Sequence, residues 1–316
     1  MAFTNTARSA STASGSQSDR AGTAASVLDA STRARVQRVC DFVNAEVARC
    51  RLKLIAVGAA SLVGMVLLPV VTKIVDARIA LVIVAGIGAF WFVRVRRELA
   101  ATYRSIATKR LVAATNKALE YRPVSSLKRD QFVSLDLFPV PSGGWQGVHD
   151  IRGRAGNATF SLHAVHARGG DRAKDVFRGA IIRVEFPGSF PGHTVVFPER
   201  HGPGGGGSSH AKRDLVFVRN PEFEHMFSAY STEYMPAKQL FTAGFTQLIM
   251  AATETFGPDL RLAFVGRSLY VAVPNVTLLP DVTLLSGPLI PDDAAGTMVR
   301  LAAFGGALAR EVGSTM

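Results

Sequence analysis

Leu54-Ile-Ala-Val-Gly-Ala-Ala-Ser-Leu-Val-Gly-Met-Val-Leu-Leu-Pro-Val-Val-Thr72 and Ile79-Ala-Leu-Val-Ile-Val-Ala-Gly-Ile-Gly-Ala-Phe-Trp-Phe-Val93 are two apolar runs separated by six residues, and they decide how this chain is organised. At about 1.5 Å per residue, helices of these lengths reach about 28 and 22 Å, against a hydrocarbon core of about 30 Å. The second run is short, but Arg78 and Arg94 at its ends can snorkel outward on apolar stems. Trp91 and Phe92 then fall near an interface. The competing reading is a helical hairpin buried in a soluble core. The only charges from Leu54 to Val93 are Lys73, Asp76 and Arg78, all at the turn, which favours a transmembrane hairpin.

Charge sets the expected orientation. Arg49, Arg51 and Lys53 precede the first run and Arg94, Arg96 and Arg97 follow the second, whereas Lys73 to Arg78 carries a net charge of only +1. The positive-inside rule places both termini in the cytoplasm. No apolar segment in residues 1–30 reads as a cleaved signal peptide, and this Ser-, Ala- and Thr-rich tail is expected to be disordered. A transit peptide is the alternative, though only Arg8 and Arg20 supply the arginines it needs.

The whole chain, 316 residues with a formal net charge of +12, has room for one sizeable domain after the hairpin. Much of the basic excess lies beside the apolar runs, so anionic lipid headgroups are the expected partner. Nucleic acid is not expected, since no basic stripe is interleaved with aromatics. Cys40 and Cys50 are the only cysteines, and their spacing fits neither a zinc site nor a redox pair. Cys50 has a juxtamembrane place suited to palmitoylation, although a plain thiol is the simpler reading.

Working outward, residues 31–53 carry Val36, Val39, Phe42, Val43 and Val47 at helical spacing, an amphipathic helix leading into the first run. Residues 94–122 form a second flanking helix, with Leu99, Tyr103, Ile106, Leu111, Ala114, Ala118 and Tyr121 on one stripe and Pro123 ending it. The two are expected to pair as a stalk. A cytoplasmic domain then occupies 123–291, with β texture from about Trp145.

In that domain Phe160, Leu162 and Ala164 alternate with Thr159, Ser161 and His163, predicting a half-buried strand. Strands are also predicted at Phe177 to Phe186, Thr194 to Phe197 and Leu215 to Arg219, with a glycine-rich flexible loop at 201–210. Asn220-Pro-Glu-Phe-Glu predicts a helix start: Asn220 as cap, Pro221 at the first helical position and Glu222 facing the dipole. Pro236 opens a predicted helix to Phe256, and Gly266-Arg267 turns a hairpin between Leu260 to Val265 and Ser268 to Val273. Residues 292–316 form a last helix and tail. The predicted class is α+β: an N-terminal transmembrane helical hairpin, then a cytoplasmic domain of mainly antiparallel sheet and packed helices.

No residue set signals catalysis. There is no Gly-x-Ser-x-Gly elbow, no His-Glu-x-x-His helix and no Gly-Lys-Ser/Thr after Gly204 to Gly207. His163 and His166, three apart on a strand, point to opposite faces and read as surface polar residues. His201 and His210 bracket the glycine loop without acidic or cysteine company, so no metal site is expected. Asp150 near Gly153 reads as a turn residue. Glu222 and Glu224 are explained by dipole capping, and Phe223, Phe227 and Tyr230 as core. No cofactor is expected. Arg152, Arg178, Arg183 and Lys212 stand as anion-binding candidates.

Several stretches together resemble the bacterial family catalogued as domain of unknown function 3137: His149 to Gly153, Val176 to Phe186, Gly192 to Pro198, Asn220 to Ser231 and Leu260 to Pro274. The resemblance covers about residues 100 to 275. It implies a membrane-anchored bacterial protein with a hydrophobic hairpin before the domain and supplies no catalytic residue. The chain departs from the pattern at Tyr234-Met-Pro-Ala-Lys238 and in its glycine loop. The expectation is a membrane-tethered, non-catalytic binding or scaffold domain with an unidentified membrane or cytoplasmic protein partner. The alternative is a membrane-surface enzyme acting on a lipid-derived or anionic substrate.

Overall fold

The alternation at Phe160 to Ala164 lies in a strand whose two faces are both covered. The computed structural model describes residues 28–71, 77–102, 107–170, 175–199, 213–280 and 287–313. The tail up to residue 27, the loop 201–210 and Lys212 lie outside these residues. The described elements are α1 (Ala30–Val71), α2 (Ala77–Thr102), α3 (Thr108–Thr115), β1 (Glu120–Val124), α4 (Arg129–Ser134), β2 (Trp145–Ala155), β3 (Ala158–Arg168), β4 (Asp175–Glu185), β5 (His193–Pro198), β6 (Asp214–Val216), α5 (Pro221–Met226), β7 (Phe227–Ser231), α6 (Tyr234–Leu240), α7 (Ala243–Phe256), β8 (Arg261–Val265), β9 (Ser268–Pro274) and α8 (Pro291–Gly313).

The strands form a nine-stranded sheet in the order β1-β2-β3-β4-β9-β8-β5-β7-β6, with every neighbouring pair antiparallel. The α+β class with a mainly antiparallel sheet is therefore what the chain adopts. On one face Phe160, Leu162, Ile182, Val184, Leu262 and Val271 meet Phe245, Ile249, Met298, Leu301 and Leu308 of α7 and α8 in the larger core. Glycine permits the closest approach: a Cβ on Gly305 of α8 would stand 3.1 Å from Phe160 and 3.3 Å from Ile182.

The other face is covered by residues 125–144, which the sequence pattern leaves unassigned. Leu127, Phe132, Leu135, Leu137 and Phe138 bury themselves against Val165, Phe177, Ile181, Val195 and Tyr270. Phe132 stacks on Phe138 at 5.4 Å between centroids and tilts against Trp145 at 4.9 Å. Arg261 of β8 pins this cover, donating to the Leu137 carbonyl at 2.6 Å with its guanidinium 4.6 Å from the Phe138 ring centroid. Arg213 adds an ion pair to Asp136 at 2.7 Å.

α1 is one uninterrupted helix from the domain core into the first apolar run. Val36, Cys40, Val43, Val47 and Cys50 are buried at spacings of four and three, a heptad-like seam. The cysteines thus replace Phe42 in the expected stripe; Phe42 is exposed beneath Arg110, 5.0 Å from its ring. Burial pushes the Cys40 thiol up to about 11 and also raises Cys50. Asn44 fastens α1 to the segment before α8, its amide donating to the Leu289 carbonyl at 3.1 Å and its oxygen accepting from the Leu289 N–H at 2.8 Å.

Two local expectations are corrected, and one strand is added. The second flanking helix ends at Thr115, because Asn116 turns extended and its Oδ1 accepts from the Ala118 N–H at 2.9 Å; Tyr121 lies on edge strand β1. The helix expected from Pro236 to Phe256 breaks at Phe241, where Thr242 caps a new helix by accepting from the Phe245 N–H at 3.0 Å. A strand, β7, follows α5 directly.

α1 and α2 contact each other. Among the described residues no helix is long and apolar enough to cross a membrane. Much of both runs has side chains outside the described set, including Leu62, Met65 to Val71 and Leu81.

Candidate functional site

The site is built by a bulge. β2 pairs β3 as Val148↔Ala164 and then Asp150↔His163, leaving His149 as the extra residue with φ of 57°. Without it, Asp150 would oppose Leu162 in the apolar core. The bulge reverses the alternation, sending Ile151 to the core and Asp150 to the opposite face. His149 itself is anchored by its Nδ1, 3.0 Å from the Tyr121 hydroxyl on β1.

On that face Asp150 and His163 have no exposed surface. Asp150 is therefore not a turn residue, and His163 is not on the surface, because residues 125–144 roof the polar face of β3. Arg152 donates to Asp150 from Nε at 3.1 and 3.2 Å and from a terminal nitrogen at 2.9 Å. Burial opposes ionisation of Asp150, but the Arg152 hydrogen bonds lead a set of contacts that hold the carboxyl below its usual value. His163 has Ser161 Oγ at 2.9 Å from Nε2 and Ser125 Oγ at 3.0 Å from Nδ1, with the Asp150 carboxylate 4.0 Å from Nδ1. Burial lowers its pKa to about 4; the Asp150 charge opposes this, and Arg183 and Arg152 add to it. The imidazole is neutral at pH 7.

The registers Arg152↔Ser161 and Ser161↔Arg183 bring two of the four expected cationic residues onto the strands either side of β3, with Ser161 between them. Their backbones are about 10 Å apart at two strand spacings. Ser161, Arg152 and Arg183 line a cleft of about 300 Å³ together with Glu120, Arg154 and Glu185. Arg183 reaches Ser268 Oγ at 3.1 Å and Glu185 at 3.3 Å. The cleft therefore carries both signs of charge. Arg178 is exposed on β4 opposite His166, on the other face of the sheet, and does not join them. His166 pairs with Asp175 at 2.8 Å.

The arrangement can pass a proton between Ser161 and the neutral His163. It departs from a serine-nucleophile triad because Nδ1 meets a hydroxyl and the aspartate is bound to arginine. No group of three His, Cys, Asp or Glu among the described residues could hold a metal ion.

Residues 175–285 match the family model described as protein of unknown function (DUF3137). That stretch runs from β4 past β9 and contains Arg183 and Ser268, but not Asp150, Arg152, Ser161 or His163. No curated protein matches the chain. Among solved structures, it is similar to the crystal structure of the mycobacterial trehalose monomycolate transport factor A, TtfA, at 12% identity and a TM-score of 0.36, over 64% of this chain and 95% of that one. That likeness is too slight to place function.

The remaining expected residues hold structural positions. Asn220 Oδ1 accepts from the Phe223 N–H at 3.2 Å, Pro221 begins α5 and Glu222 lies exposed in its first turn. Glu224 accepts from the Val218 N–H at 2.7 Å and closes the preceding loop. Gly266 takes φ of 58° in the β8–β9 turn with no atom near a would-be Cβ, so conformation alone demands glycine. Arg49, Arg51, Lys53, Arg94 and Arg97 are exposed, and the Arg96 side chain lies outside the described set.

Proposed function

We propose that this chain is a membrane-anchored binding protein, in which an apolar helical hairpin holds the α+β domain against the cytoplasmic surface of a bacterial inner membrane. The observation that carries the reading is the exposure of most apolar side chains described in the hairpin, Leu54 at its start being half-buried. Ile55, Val63, Val82, Ile87, Phe90, Trp91, Phe92 and Val93 are all exposed, with Ile55 and Val82 showing 67% and 68% of their surface. A helix pair apolar on its outer surface loses about 25 cal/mol per Å² of apolar area left in water, a loss that a bilayer removes. The exposed basic residues beside the runs suit anionic headgroups.

Binding is favoured over turnover because the sheet ends at β6, where Leu215 and the neighbouring Phe217 are exposed. In-membrane crosslinking of the full chain tests this, with residues 54–93 replaced by a Gly/Ser linker as the comparison. That replacement retains α1 up to Lys53, including Val36 and Cys40 of the core. A discrete partner captured by the full chain supports the reading. No partner, at adequate crosslinking yield, removes it.

One observation favours the alternative of an enzyme acting on an anionic substrate: Ser161 Oγ stands 2.9 Å from His163 Nε2 between Arg152 and Arg183. Fluorophosphonate labelling of Ser161 that disappears in His163→Ala would favour it; an unlabelled serine in the folded protein would exclude it.

A further inference from the structure

A second cavity, of about 390 Å³, opens where the start of α1, the end of α3 and the middle of α8 meet the β2–β3 hairpin. Its wall is apolar, from Leu119, Phe160, Val299 and Ala302, and two exposed arginines line it, Arg154 of β2, which also borders the first cleft, and Arg310 of α8. Neither arginine has an ion pair with an acidic residue among the described residues. Asp29, at the same opening, accepts from the Ser31 hydroxyl at 2.7 Å, and hydrogen bonds from Thr32 and Ser31 hold its carboxyl below the usual value. One negative charge therefore faces two positive ones. An apolar wall bordered by two cationic residues, at a volume within the roughly 300–1,000 Å³ of small-ligand sites, has the chemistry of an amphiphile receptor.

We propose that this cavity binds a single-chain amphipathic anion, its carboxylate or phosphate monoester between Arg154 and Arg310 and its chain against Phe160 and Val299. Guanidinium pairs suit such headgroups through paired N–H donors. The position also selects the source. Thr32 precedes Leu54 by 22 residues on one unbroken helix, so the cavity stands about 33 Å from the apolar run. A lipid still seated in a bilayer around that run does not span this distance, so the ligand is a dispersed single-chain anion. The cavity itself does not depend on where the hairpin resides.

Gly306 supplies a test independent of charge. A Cβ there meets Arg310 at 3.7 Å, Phe160 at 3.9 Å and Ala155 at 4.0 Å, ordinary contacts, so a larger side chain grows into the cavity rather than into backbone. The experiment is photo-crosslinking of the full chain, in phosphatidylcholine nanodiscs, by a diazirine analogue of laurate, with the labelled peptides mapped by mass spectrometry. Labelling of the α3–β1 and α8 peptides, competed by laurate but not by dodecanol or inorganic phosphate, is expected. It should fall at least tenfold in Arg154→Gln/Arg310→Gln and in Gly306→Leu, with the melting transition retained. Labelling confined to the hairpin would mean bilayer partitioning only and would overturn the proposal. Equal competition by dodecanol, competition by phosphate alone, or unchanged labelling in both variants would do the same. Loss of partner capture in the crosslinking above would leave this result standing, so the two readings fail separately.

Discussion

His163 is the residue whose environment departs furthest from its sequence appearance. Its folded pKa, about 4 against 6.5 for a free imidazole, means that the unfolded chain takes up a proton in a range where the folded one does not. Stability from this group is therefore complete above about pH 6.5 and is lost as pH falls toward 4, by about 3 kcal/mol in all. His193, also depressed, chiefly by burial and then by Arg213, acts in the same direction. Denaturation midpoints between pH 7.5 and 4.5 should drop less in His163→Gln than in the parent; an identical drop would contradict the buried, neutral imidazole. Arg152→Gln leaves the Asp150 carboxylate buried without its cation and should cost about 3 kcal/mol in denaturant unfolding, at the lower end of values for broken buried pairs because Arg152 is partly exposed. The arginines were legible as cations, and the registers around Ser161 bring Arg152 and Arg183 together. The Asp150–His163 cluster was not legible, because it depends on a bulge at His149 and a roof whose hydrophobes, Leu127 to Phe138, follow neither a helical nor a strand period.

Elements whose signal is local were readable. Asn220-Pro221 marks α5, alternation marks β3 and β4, and the apolar run between Gly192 and Pro198 marks β5. Asn220→Ala should destabilise the domain by about 1 kcal/mol, measured in urea, through loss of the Phe223 cap. Elements set by tertiary context were missed: β7 begins the residue after α5 ends, and β1 gains its strand conformation from pairing with β2. The α6–α7 break depends on one hydroxyl, Thr242, which an apolar stripe running through it conceals. The contact of α8 with β3 makes a sharper prediction. Gly305→Val should cost about 1–3 kcal/mol by forcing Phe160 and Ile182 aside, while Gly306→Ala should be nearly neutral in thermal unfolding. Equal effects at the two adjacent glycines would contradict the described packing.

At the scale of the molecule, a basic chain of net charge +12 carries an α+β domain on a helix that continues without a break from the core residue Val36 to Val71. That continuity, with the exposed apolar side chains of Ile55, Val63, Val82, Ile87 and Phe90 to Val93, supports a hairpin placed in a bilayer. Sequence alone carries this part through run length and flanking charge. Residues far apart in the chain, such as Asn44 with Leu289 and Arg33 with Asp292, lock the helix to the domain in ways that no local pattern announces. The measurement that tests the central claim is maleimide accessibility in bacterial spheroplasts producing the full chain, with Asp76→Cys and Glu222→Cys variants. The account predicts that an impermeant maleimide modifies the Asp76→Cys chain in intact spheroplasts and the Glu222→Cys chain only after lysis, with both chains resisting alkaline carbonate extraction. Modification of both only after lysis, with release into the carbonate supernatant, would contradict it.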